Sequence, residues 1–75
     1  MEDINIRFAK TLRNLRTSKG LTQEGLAELS GIDYKYLQKL EGQNPSSPTL
    51  STLQKLSSGL QISLQELICS IEETR

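Results

Sequence analysis

The chain has 75 residues, with nine Lys and Arg against nine Asp and Glu, a net charge of zero, and 35% hydrophobic residues. That length supports one domain, residues 1–75, and the composition suits a packed globule rather than a disordered tail. There is no histidine and a single cysteine, Cys69, which excludes imidazole-based catalysis, histidine metal sites, an internal disulfide and a cysteine–histidine nucleophile.

Ile4, Phe8, Leu12 and Leu15 fall on one helical stripe and predict a first helix to about Lys19, where Gly20 follows a cation. Thr22 is a good N-cap, with Leu21 and Leu26 as a hydrophobic staple. Leu26, Ala27 and Leu29 give the second helix its buried side, and Gly31 ends it. Gly25 stands at N3 of that helix. It reads as an exposed internal glycine that costs up to ~1 kcal/mol relative to alanine. Asp33 caps a third helix, stapled by Ile32 and Leu37; Leu37 and Leu40 mark its core side and Gly42 its end. The segment "GQNPSSP" is a loop by composition. Thr49 caps a fourth helix carrying Leu50, Leu53, Leu56 and Leu60. Ser63 with Glu66 forms a capping box, and Ile62 with Leu67 a staple, for a fifth helix over about 63–72. The predicted class is all-α.

Three residues separate Ser30 from Tyr34, and Gly31 can take the positive φ of a tight turn, so residues 22–41 read as a helix-turn-helix. At about 100° per residue, Leu37 and Leu40 set the buried direction of the third helix. Lys35, Gln38 and Lys39 point away from it, and Tyr34 and Tyr36 flank. Lysine can donate to guanine or phosphate, glutamine can pair with adenine, and tyrosine can meet a thymine methyl or a phosphate. Double-stranded DNA is therefore the expected partner, with Tyr34, Lys35, Gln38 and Lys39 as base-contacting candidates and Tyr36 assigned to packing. Thr22 and Gln23 offer donors for a phosphate at the start of the second helix.

The charge is uneven although its sum is zero. Residues 4 to 19 hold Arg7, Lys10, Arg13, Arg16 and Lys19 and no acid. For Arg7, Lys10 and Arg13, phosphate contact and ordinary surface charge stand equal. Leu64, Leu67, Ile68 and Ile71 offer more apolar surface than one terminal helix needs, so a homodimer through these residues is expected. A two-fold dimer would set two third helices about 34 Å apart, one turn of a near-palindromic site. Cys69 is expected to be a small buried hydrophobe.

Other chemistries find no footing. GxGxxG and GxxxxGK are absent, and Glu24 and Glu28, at i, i+4 on a polar face, read as surface charge rather than an acid–base pair. No enzyme activity, cofactor, metal or small-molecule ligand is expected. No apolar run approaches the roughly 20 residues of a membrane span. The start, "MEDINIRFAK", lacks a basic n-region and apolar stretch. No membrane partner and a cytoplasmic location are expected.

The ordered segments "GLTQEGLAELSGIDYKYLQKLEG" and "PTLSTLQKLSSGLQISLQEL" resemble the Cro/C1-type (XRE) helix-turn-helix proteins, the class of phage repressors and restriction–modification controller proteins. The resemblance covers about residues 6 to 68. It departs from the common pattern at Gly25, at Gly42 directly after Glu41, and in a loop about one residue longer. It implies a five-helix, lambda-repressor-like DNA-binding domain, with the third helix in the major groove and a dimer as the binding unit. It further implies Gln23 as a phosphate anchor, Tyr34, Lys35 and Lys39 as base readers, and phosphate contacts from Gln43 and Asn44 in the loop. Arg16 and Glu41 would form a buried ion pair; both stand four residues after a core leucine, at the core's edge. Glu24 and Glu28 match a region where some phage repressors touch RNA polymerase, set against plain surface charge. The resulting expectation is a sequence-specific DNA-binding transcriptional regulator. The alternative is a protein-interaction module, an antitoxin or adaptor on the same fold.

Overall fold

The computed structural model describes residues 3–74. It contains α1 (Ile4–Ser18), α2 (Gln23–Ser30), α3 (Tyr34–Leu40), α4 (Leu50–Gly59) and α5 (Leu64–Glu73), and no strand occurs among the described residues. Helices this short are marginal alone, so caps and packing must hold them. Every one is capped by a side chain that accepts from the first turn: Asp3 from Asn5 N, Thr22 from Gly25 N, Asp33 from Tyr36 N, Thr49 from Thr52 N and Ser63 from Glu66 N. Glu66 answers Ser63 by accepting from its N–H at 3.2 Å, completing the capping box. Each cap contributes about 1 kcal/mol.

Three helices end the same way. Gly20, Gly31 and Gln61 take φ of 71°, 71° and 60°. The next residue then donates its N–H back across the turn at 3.0 Å: Leu21 to Arg16 O, Ile32 to Ala27 O and Ile62 to Ser57 O. That apolar residue is half-buried against the core and immediately precedes the next N-cap. Gly-Leu-Thr, Gly-Ile-Asp and Gln-Ile-Ser are thus one device used three times: left-handed turn, apolar plug, cap. Gly42 does not belong to it. The α3 C-cap is Glu41, and Gly42 has no positive φ.

The core is Phe8, Leu12, Leu26, Ala27, Leu37, Leu40, Leu56, Leu60, Leu67 and Ile71. α2 packs on both α3 and α4, and α5 closes over α1 and α4. Thr11 of α1 hydrogen-bonds Thr74 just beyond α5. Three predicted core residues are instead exposed: Ile4 at 56%, Leu29 at 61% and Leu50 at 75%. Ile4 and Leu50 open their helices and overhang the core. Leu29 is displaced because α2 turns Ser30 inward, against Gly59 of α4. A Cβ at Gly59 would stand 2.2 Å from Ser30 Oγ and 3.1 Å from its backbone N. Only glycine permits that approach, and it sets the roll of α2. Gly25 is internal to α2 as expected, but half-buried rather than exposed. Cys69 is exposed, not buried, because α5 turns Leu67 and Ile71 inward instead.

Candidate nucleic-acid interface

Leu37 and Leu40 are fully buried and fix the roll of α3. Lys35, Gln38 and Lys39 are consequently exposed, Tyr34 is 37% exposed, and Tyr36 lies half-buried against the core. Lys35, Tyr36, Gln38 and Lys39 border one open concavity. Gln38 donates from Nε2 to the Tyr34 hydroxyl at 3.1 Å, joining two candidates across one helical turn. Within α3 there is no acid; Asp33 is occupied with capping and Glu41 with arginine. The outer face of this helix is therefore cationic in a chain of zero net charge.

Glu41 is the hub behind that face. Arg16 donates from Nε to Oε2 at 2.8 Å and from Nη2 to Oε1 at 3.0 Å. Its Nη1 reaches Leu21 O at 2.8 Å. Gln23 Nε2 donates to Glu41 Oε1 at 3.2 Å, and Arg13 Nη2 donates to the Glu41 backbone carbonyl at 2.6 Å. The carboxylate thus joins α1, the start of α2 and the end of α3, and Arg16 extends the network to the turn after α1. The paired arrangement satisfies a charge that would otherwise be costly to bury.

The phosphate candidates sit in different settings. Thr22 is exposed, and its Oγ1 accepts from Gly25 N while its own hydroxyl hydrogen stays available. Gln23 is half-buried and held by Glu41, so one of its two amide hydrogens is engaged. Gln43 and Asn44 are exposed in the loop after α3, next to Asn5 and Ile6 of α1. Ser47 Oγ donates to Asn5 Oδ1 at 3.1 Å and ties that loop down. The sequence marks Arg13 only as a cation. Its service to the α3 C-terminus had one signal in the sequence, its place three residues before Arg16.

The predicted dimer set divides. Leu67 is 0% exposed, enclosed in the protomer's own core, which corrects the expectation at that residue; Ile71, 5% exposed, belongs mainly to the core and shows only an edge to the groove that Ile68 lines. Leu64 is half-buried and Ile68 is 37% exposed. Ile68 lines a groove of about 330 Å³ with Ile4, Arg7, Phe8, Leu53 and Glu72 among its walls. Arg7 Nε, buried there, has no hydrogen-bond partner. No helix is long and apolar enough to cross a membrane among the described residues.

A helix-turn-helix family model matches residues 12–67. The chain is 39% identical over 74 residues to the control protein C.MunI from Mycoplasma sp, covering 97% of this chain and 99% of the relative. Among solved structures, the restriction-modification controller protein C.AhdI from Aeromonas hydrophila is 41% identical, with a TM-score of 0.78 over 84% of this chain and 94% of that one. C.Esp1396I, solved bound to a 19 base pair DNA duplex, is 25% identical, with a TM-score of 0.86 over 96% of this chain and 95% of that one.

Proposed function

The chain is a member of the Cro/C1-type (XRE) helix-turn-helix family of transcriptional regulators, and from that premise we propose that it binds a near-palindromic operator as a homodimer, with α3 in the major groove. The observation that carries this is the division of α3. Its inner side is fully buried and braced through Glu41, while Tyr34, Lys35, Gln38 and Lys39 stand together on the outer side. A rigid helix with a cationic, donor-rich outer face suits a groove whose base edges offer acceptors and whose rims are phosphates. Thr22, Gln23, Gln43 and Asn44 supply phosphate contacts that set the register. The match to C.MunI over nearly its whole length supports a regulator of the controller class, acting in the cytoplasm.

The second copy docks on the apolar groove lined by Ile4, Leu53 and Ile68, with Arg7 and Glu72 among its walls. Glu24 and Glu28, exposed on α2 beside Leu29, read first as plain surface charge, with an RNA polymerase contact as the rival role that has its own test. Reversing both charges should alter transcription at full operator occupancy; unchanged transcription removes that part.

The test is selection of bound duplexes from random DNA, followed by footprinting. A recovered palindrome, protected by the wild type and not by Lys35→Ala, Lys39→Ala, supports the assignment. An intact footprint in that double variant overturns it.

A further inference from the structure

The hydrogen bond between Gln38 and Tyr34 changes what the glutamine can read. A primary amide has one acceptor oxygen and two N–H hydrogens. One hydrogen is directed to the Tyr34 hydroxyl. Gln38 then presents its Oε1 and one remaining hydrogen. In the major groove adenine shows an N7 acceptor and an N6 donor, the complement of that pair. Guanine shows two acceptors, N7 and O6. To satisfy both, the amide would need both hydrogens, or would turn Oε1 toward O6.

We propose that the Tyr34 hydroxyl is a positioning group that makes Gln38 an adenine-selective reader. Each half-site then carries an A·T pair beneath Gln38, and the preference for adenine over guanine at that pair is set by Tyr34 and Gln38 together. The inference rests on the DNA-binding reading above and adds a base and a mechanism of choice to it. Both side chains are exposed, so neither is needed to close the core.

The experiment selects duplexes from a random pool with the full chain, its Tyr34→Phe, Gln38→Ala and Gln38→Glu variants, each checked for an unchanged helical spectrum. The winning site and its A-to-G substitutions are then titrated. The wild type should prefer adenine over guanine at one symmetric position by about tenfold. Tyr34→Phe should narrow that ratio several-fold and leave the other positions alone. Gln38→Ala should abolish it, and Gln38→Glu should move the preference to cytosine, whose N4 donor a carboxylate accepts. If Tyr34→Phe weakens every sequence by one factor with the ratio intact, or Gln38→Ala leaves all preferences unchanged, the proposal is overturned while DNA binding stands. A wild type that binds no duplex even at low salt overturns both.

Discussion

The Arg16 guanidinium grips both oxygens of the Glu41 carboxylate and so fastens α1 to the end of α3, 25 residues away. The Glu41 side chain is 1% exposed. Removing one partner of such a pair strands the other charge and costs about 3–5 kcal/mol, against about 5–15 kcal/mol for a whole small domain. Glu41→Ala should therefore lower the urea midpoint sharply. Replacing both partners with apolar residues should cost less than the sum of the single changes. A Glu41→Ala midpoint equal to wild type would remove this account.

Gln23 separates support from contact. Its hydrogen bond to Glu41 is one of several on that carboxylate, so Gln23→Ala should cost only about 0.5–1.5 kcal/mol of stability. Operator and non-operator DNA should weaken by the same factor, with the salt slope unchanged, because a neutral amide replaces no counterion. Filter binding across a salt series reads both quantities; a loss confined to the operator contradicts a phosphate role.

Gly59→Ala should cost about 1–3 kcal/mol through overpacking. Ser30→Gly should not restore it, because the new Cβ would still lie 3.1 Å from Ser30 N and 3.2 Å from its Cα. Ser30 Oγ is buried without a hydrogen-bond partner. Ser30→Ala alone should therefore leave stability equal or raise it by up to about 1 kcal/mol. Thermal melts of the three variants decide the matter; a full rescue by Ser30→Gly would locate the clash in the Ser30 side chain rather than its backbone.

Two neighbours on α5 should behave oppositely. Leu67→Ala should lose about 2–5 kcal/mol from the protomer's core. Ile68→Glu should keep the melting behaviour of the fold and shift the sedimenting mass to one chain. A dimer that survives Ile68→Glu places the interface elsewhere.

Gln61 holds a left-handed backbone at φ 60° where α1 and α2 use glycine. An L-residue there costs about 1–2 kcal/mol. Gln61→Gly should raise stability by up to about 1 kcal/mol, since part of that relief is lost to the freer unfolded chain. A lowered urea midpoint would show that the Gln61 side chain holds the turn.

What was legible in the sequence was what acts over a few residues. Thr22, Asp33, Thr49 and Ser63 could be read as caps because a side-chain oxygen reaches an amide two or three positions on. The exposed set Lys35, Gln38 and Lys39 could be read because Leu37 and Leu40 alone orient a helix of seven residues. Even the Arg16–Glu41 pair had a trace, in the spacing of each from a core leucine.

The tertiary structure decided where separate elements meet. Ser30 rather than Leu29 faces inward because Gly59, 29 positions later, admits only a small neighbour. Gln23 and Arg13 converge on Glu41 from 18 and 28 residues away. Leu67 and Ile71 closed the core and left Ile68 outside because α5 had to seat against α1 and α4 at once. Periodicity determined which stripe of each helix was apolar; only the packing of one stripe on another selected which flank of it was buried.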